Sequence, residues 1–212
     1  MSHLPDWLHK NEPQIRSMSP GELETVCEVI GLAFADNPST LANVRGDRAK
    51  ARQVMREAVR VAKFGRTWSH ALVALDGGKV VGALNAAQWP HCQPGTLEKI
   101  RTAPSMLRIM KGALPRAFTM MTRREAHDPH EPHWHIGPVG VIPELQGQGI
   151  GTTLLELFLS STDATGSPTF LETDVDRNVA LYENLGFEVV AQEDIIGVST
   201  RFMWRDATKR PA

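Results

Sequence analysis

The residues best suited to do chemistry lie between His133 and Leu157 and in the two segments that follow. Gln146-Gly147-Gln148-Gly149-Ile150-Gly151 puts glycine at alternate positions just before a helical pattern carrying Leu154, Leu155, Leu157 and Phe158. Glycine lets the backbone take left-handed conformations and approach a ligand closely. The helix behind it offers unpaired N–H groups and the positive end of its dipole. Together these make an anion site suited to a phosphate or pyrophosphate. Two common phosphate motifs do not fit. A P-loop requires a lysine that does not follow Gly151. A dinucleotide fingerprint requires a third glycine where Thr152 stands, although Glu172 does lie about 20 residues on. That glycine turn also comes late in the chain, after an antiparallel hairpin.

Other reactive side chains surround this stretch. Tyr182 is the only tyrosine. His127, His130, His133 and His135 crowd one segment through Pro129 and Pro132. Their spacing does not set them on one helical face, as HExxH would, so no metal is expected. They read as a loop running into a strand. His133 and His135 then point to one side of it, and simple alternation places His135 on the side of Val139 and Val141.

The elements that position these residues follow from periodicity. Trp134 to Ile142 reads as a strand ended by Pro143. Upstream, Gln14 to Met18 suggests a first strand, and Ser19-Pro20-Gly21-Glu22 is a capping box opening a helix that ends near Asp36-Asn37-Pro38. A second helix starts at Asp47, with a basic face of Arg48, Lys50, Arg52, Arg56, Arg60 and Lys63 that reads as solvated surface. Trp68–Leu75 and Lys79–Ala87 form a hairpin about Asp76-Gly77-Gly78. Residues 94–126 read as helix interrupted by Pro104 and Pro115. In that region Met106, Met110, Phe118 and Met121, with Trp89 before it, hint at an apolar acceptor pocket. Thr169–Asp174 is a short strand, Asp176 caps a helix that Gly186 ends, and strands follow at Phe187–Val190 and Val198–Trp204.

Bulk properties bound the reading. An apolar fraction of 42% supports a packed core, and a net charge of −1 gives no reason to expect nucleic acid. The two cysteines, Cys27 and Cys92, have no CxxC spacing, which fits a reducing compartment. No segment suits a signal peptide or a membrane span, so a cytoplasmic location is expected. Residues 1–13 read as a flexible arm, 14–206 as one domain, and 88–130 as a helical insertion within it.

Gln146-x-x-Gly149-x-Gly151 after a strand resembles the acetyl-CoA-binding motif of the GNAT N-acetyltransferase superfamily. Asn178-Val-Ala-Leu-Tyr182-Glu-Asn-Leu-Gly186-Phe187 resembles that family's second CoA-contacting helix. The two motifs occur in order with a strand between them, and the resemblance is strongest over 133–190. It implies an α/β (α+β) GNAT fold: a mixed central sheet of about six to seven strands flanked by helices, with a helical insertion before the central strand. It implies an acetyl-CoA-dependent N-acetyltransferase acting on a small-molecule primary amine, similar to the puromycin-acetylating type. A homodimer is compatible with the Met-rich helices. The resemblance gives the amides of Gly147, Gln148, Gly149, Ile150, Gly151 and Thr152, with Gln146, to the CoA pyrophosphate. It gives the backbone of Val139, Gly140 and Val141 to the pantetheine arm and acetyl carbonyl, and Asn178 to the cofactor. Tyr182 falls where the family places its general acid. His135 and Glu172 are the candidate bases, and members that acetylate arylalkylamines are similar in carrying a histidine in this part of the strand. The competing reading is a non-catalytic acyl-CoA- or nucleotide-binding module. Tyr182 beside an intact Gln146 turn argues against it.

Overall fold

The computed structural model describes residues 13–61, 68–92, 100, 103–104, 107–108 and 110–208. The arm at 1–12 and the positions Lys63, Leu97, Met106 and Ile109 fall outside the described residues. The strands are β1 (Gln14–Ser17), β2 (Ser69–Asp76), β3 (Lys79–Gln88), β4 (Trp134–Val141), β5 (Thr169–Thr173), β6 (Glu188–Ile195) and β7 (Val198–Arg205). They form one mixed sheet in the order β1-β2-β3-β4-β5-β7-β6. Among the described residues, β4 with β5 is the one parallel pair, and the other pairs are antiparallel.

Alternation along the strands buries both faces of the sheet. Ala71, Val73 and Leu75 of β2 pack with Val26, Cys27 and Ile30 of α1 (Leu23–Ala33) on one face. Leu72 and Ala74 turn to the other face, where α5 (Ile150–Thr165) supplies Leu154, Leu155 and Phe158. The sheet is a shared layer between two apolar clusters, and each large side chain buried there contributes about 1.5–3 kcal/mol. The hairpin expected at Asp76-Gly77-Gly78 forms with both glycines at positive φ, as a tight two-residue turn requires.

Three expectations change. The chain after α1 does not simply run on as loop. Asn37 accepts from the Thr40 amide and caps a short helix, α2 (Pro38–Asn43), with Pro38 at its start. The Asn-Pro pair read as the end of one helix is the start of the next. Pro115 likewise does not break a helix but opens one, α4 (Leu114–Ala126). Asp176 is the first residue of α6 (Asp176–Asn184) rather than its cap, and its carboxylate pairs with Arg201 at 2.6 Å.

Asp47 does cap α3 (Arg48–Val61), accepting from the Lys50 amide at 3.0 Å. The basic face of α3 is not simply solvated: it lies along the acidic side of α1. Arg60 pairs with Glu24 at 2.5 Å, Arg56 with Glu28 at 3.4 Å, and Arg52 with Glu28. These part-exposed ion pairs flank the apolar contact of Val59 and Met55 with Val26 and Ile30, and they occupy those arginines.

Candidate functional site

The site is organised by a fault in β4. Opposite β3, the partners run Leu84↔Val139 and then Ala86↔Ile136, so Gly137 and Pro138 together face the single residue Asn85. This is a β-bulge. Pro138 cannot donate to a ladder, and Asn85 reaches across to the Gly137 carbonyl at 3.5 Å. On its other side β4 pairs with β5 only at Trp134↔Thr169 and His135↔Phe170. Beyond His135 the strands part, and the backbone from Gly137 to Val141 loses its neighbour on that side. A cleft of about 1060 Å³ opens in the split.

The bulge also corrects the expected sidedness. Across it, His135 (opposite Ala87) shares a face with Gly140 (opposite Ala83), while Ile136, Val139 and Val141 share the other. Gly140 lies against α1, where an added Cβ would come within 2.8 Å of Ala33 and Ile30. Val141 and Ile136 belong to the cluster around α5. Simple alternation fails because the extra residue flips everything after it.

The glycine turn forms one wall. Gly147 and Gly149 sit at φ +77° and +85°, and a Cβ on either would meet no protein atom within 4 Å. Gly149 is the residue before α5, so the first amides of that helix have no partner within it. Gly147, Gly149, Ile150, Gly151 and Thr152 all line the cleft; Gln148 does not. The Gln146 side chain turns inward, its Nε2 donating to the Val141 carbonyl at 3.0 Å, and braces the turn against β4. Asn178, Leu181 and Tyr182 of α6 form the facing wall. The Gly186 and Phe187 amides, bonded to Glu183 and Tyr182 carbonyls, close that helix, and Phe187 packs edge-on to Tyr182 at 5.8 Å. Burial, reinforced by the charges of Glu172 and Asp174, pushes the Tyr182 hydroxyl up to about 12, so it holds its proton throughout the neutral range.

The third wall is polar, and most of it was not legible in sequence. Asp174 accepts from Asn37 Nδ2 at 2.8 Å and from the Ser39 amide at 2.6 Å, which docks α2 at the cleft. Arg124 of α4 donates to Ser39 Oγ at 3.0 Å and to Glu172 at 3.5 Å. Asn43 gives its amide nitrogen to Met120 Sδ and leaves a buried Oδ1 without a partner among the described residues. Met110 and Met120 line the cleft, whereas Phe118 and Met121 face outward. The Asn37-Pro38 cap was the one local signal that could have placed Ser39 and Asn43.

Behind Glu172 lies a charged cluster. His135 donates from Nδ1 to Asp128 at 2.7 Å and from Nε2 to Glu172 at 2.8 Å. Burial works against its charge, but the Glu172 carboxylate and the Asp128 hydrogen bond outweigh it and hold the imidazole protonated well above its usual range. Burial likewise opposes the charge on Glu172, yet His135 and Arg124 bring its carboxyl down to about 2. His133 is raised to about 9, burial notwithstanding, chiefly by the Asp128 carboxylate 3.7 Å from its Nε2. Asp128 itself is held well below the usual carboxylate range by the two histidines against the effect of burial. His133 and His135 therefore do point the same way, as expected. His127 does not join them; it stacks on Phe202 and pairs with Glu193 at 2.7 Å.

A mixed sheet whose two parallel central strands part beside a glycine turn and a helix N-terminus is the arrangement that the sequence resemblance implies. The chain matches the model of the acetyltransferase (GNAT) family over residues 41–187, more than half its length, and it belongs to that family of acyltransferases. Solved structures agree with the fold. A Corynebacterium glutamicum structure described as histone acetyltransferase HPA2 and related acetyltransferase has a TM-score of 0.66 at 20% identity, covering 94% of this chain and 99% of that one. Arylalkylamine N-acetyltransferase 2 from Aedes aegypti has a TM-score of 0.65 at 13% identity, covering 93% and 100%. The Salmonella typhimurium protein yncA, solved with its cofactor acetyl-CoA, has a TM-score of 0.56 at 16% identity, covering 95% and 97%.

Proposed function

We propose that the protein transfers the acetyl group of acetyl-CoA directly to the primary amine of a small, cationic molecule. The observation that carries this is the split between β4 and β5, with a bare strand edge, a Cβ-free turn and Tyr182 all facing one cleft. That cradle fits the group: Gly147 and Gly149 leave open space where side chains would stand, and the α5 amides suit a pyrophosphate without any basic residue.

Bound acetyl-CoA would supply an activated thioester. The amides of Gly149 to Thr152 hold its pyrophosphate, and the unpaired edge from Gly137 to Val141 aligns its arm as an added strand. An amide on that edge polarises the acetyl carbonyl. Gly140 serves there through its backbone alone, since its α-carbon is already committed to α1. The amine nitrogen would bond to the acetyl carbon first, and Tyr182 would then give its proton to the thiolate as the C–S bond breaks.

The polar wall receives the acceptor. Glu172 and the spare Asn43 Oδ1 attract and orient an ammonium group. Both nitrogens of His135 are bonded to carboxylates and both oxygens of Glu172 are engaged, so neither side chain is free to strip the amine. The amine's proton leaves through water in the cleft, and His135 acts by fixing Glu172. Known relatives acetylate such amines: the Aedes aegypti protein is an arylalkylamine N-acetyltransferase, and a Drosophila melanogaster polyamine N-acetyltransferase is similar in fold.

The test is calorimetric titration with acetyl-CoA, followed by a thiol-release assay over a panel of mono- and diamines. Stoichiometric binding with amine-dependent release of CoA is expected. Binding without release for any amine overturns the acceptor assignment, and absence of binding overturns the cofactor site.

A further inference from the structure

The long connection from β3 to β4 begins and ends at one part-buried cluster in which Cys92, Asp128 and His133 have no part in acetyl transfer and His135 only positions Glu172. Cys92 lies just past the end of β3, Asp128 just past α4, His133 directly before β4, and His135 within it. One ligand atom from each, a thiol sulfur, a carboxylate oxygen and two imidazole nitrogens, all lie within 4.8 Å of one another. The Cys92 sulfur is 3.4 Å from Asp128 Oδ2 and 4.0 Å from His133 Nε2. Asp128 Oδ1 is 3.7 Å from His133 Nε2 and 2.7 Å from His135 Nδ1.

Both histidines are tied from behind. His133 donates from Nδ1 to the Glu131 carbonyl at 2.8 Å. His135 has Glu172 on Nε2 at 2.8 Å, and Arg124 reaches the other oxygen of that carboxylate at 3.5 Å. With the outer nitrogens donating, the inner ones lie beside the thiol and the carboxylate and become ligand lone pairs once their protons leave. Four acceptors that face one another in a pocket where Asp128 is 7% and His133 2% exposed need either extra protons or a cation between them. A ligating histidine whose other nitrogen donates to a carboxylate or backbone carbonyl is the usual support of a metal site.

We propose that Cys92, Asp128, His133 and His135 bind one zinc ion in a closed tetrahedral site. Two imidazoles, one thiolate and one carboxylate suit zinc in donor type, and four protein ligands leave no open position for catalysis. A thiolate and a carboxylate balance the ion's charge. Ligand atoms around zinc stand about 3.3–3.8 Å apart, given metal bonds of about 2.0–2.3 Å. With Asp128 Oδ1 as the carboxylate donor, His133 stands within that range at 3.7 Å, Cys92 and His133 are slightly wide of it at 4.0 Å, and His135 is too close at 2.7 Å; to admit the ion, Asp128 and His135 part by roughly half an ångström and the wider pairs, up to 4.8 Å apart, draw in. Binding expels the thiol proton and the inner protons of both histidines. The ion pins both ends of the β3–β4 connection to the sheet, one hydrogen bond behind Glu172. The site stands independently of any role for Tyr182 or the glycine turn.

The whole protein, stripped with chelator and dialysed, is titrated with Zn²⁺ against a chromophoric competitor and separately with Co²⁺. One equivalent of zinc is expected to bind with an apparent Kd of about 50 nM or tighter, the weak end for structural zinc. The cobalt form should show a thiolate-to-metal charge-transfer band that Cys92→Ser abolishes, while zinc affinity in that variant falls at least ~100-fold. Zinc binding weaker than about 10 μM, or a thiolate band unchanged in Cys92→Ser, overturns the site. If Cys92→Ser does not fold, the wild-type cobalt spectrum decides: a spectrum without the thiolate band overturns it.

Discussion

The two halves of β4 are built on opposite plans. Its first half, at Trp134 and His135, is paired on both sides and surrounded by ionisable side chains that satisfy one another. Its second half, from Gly137 to Val141, is paired on one side only and offers backbone to a cleft. The difference shows how one strand can serve two ends. Charge is kept where the sheet is closed and the histidine–carboxylate bonds are part-buried. Bare amides are kept where the sheet is open and a ligand can take the place of a missing strand. The bulge at Gly137-Pro138 is the border between them.

The largest expected effect is at the open end. Gly149→Val puts a β-branched residue at φ +85° and a side chain into the space the pyrophosphate would fill, and acetyl-CoA affinity should fall by at least ~100-fold in calorimetry. Affinity within a few-fold of wild type would mean that the turn does not hold the cofactor. Tyr182→Phe leaves the wall packed but removes the proton donor. Turnover should fall by ~100-fold with acetyl-CoA affinity nearly unchanged, and steady-state kinetics beside a binding titration separate the two. Unchanged kcat would remove Tyr182 from the chemistry.

Smaller effects sharpen the border. Gly140→Ala drives a methyl to within 2.8 Å of Ala33 and Ile30, an overpacking of about 1–3 kcal/mol that should lower Tm by about 2–12 °C. A Tm loss beyond what acetyl-CoA can restore marks this glycine as a packing residue; an unchanged Tm would show that α1 yields freely. At the closed end, Arg205 holds Asp163 through paired bonds of 2.7 and 2.9 Å and also caps the Leu185 carbonyl. Those bonds bring the Asp163 carboxyl down to about 2. A depressed carboxyl stabilises the fold above its unfolded pKa of about 4, and that contribution is lost as pH falls from about 4 toward 2. Asp163→Asn should therefore lower Tm by about 3 °C at neutral pH and by nothing at pH 2, with kcat unaffected. Equal Tm differences at both pH values would count against the ion pair.

What could be read from the sequence was what neighbouring residues decide among themselves. Asp76-Gly77-Gly78 is a hairpin because two adjacent glycines supply its dihedral angles. Gln146 to Gly151 is a turn at a helix start for the same kind of reason, and Gly186 ends α6. The polar wall was hidden because its members meet only in the fold: Asn37 and Ser39 reach Asp174, and Arg124 reaches Glu172, across more than forty residues. Cys92 stands 36 residues from Asp128 and carries no motif of its own. The sidedness of β4 failed for a subtler reason. Gly137-Pro138 was visible inside a strand, and a proline there signals either an edge or a bulge. Alternation counted straight through it gave the wrong face for Val139 and Val141.

That bulge makes the length of β4 matter more than most of its residue choices. Point changes at Gly137 or Pro138 alter a local bend. Deleting one of the two would restore even pairing and exchange inside for outside in everything downstream as far as the turn. Val139 or Val141 would then be driven into α1 where only a glycine fits, and the glycine would fall where α5 needs a branched side chain.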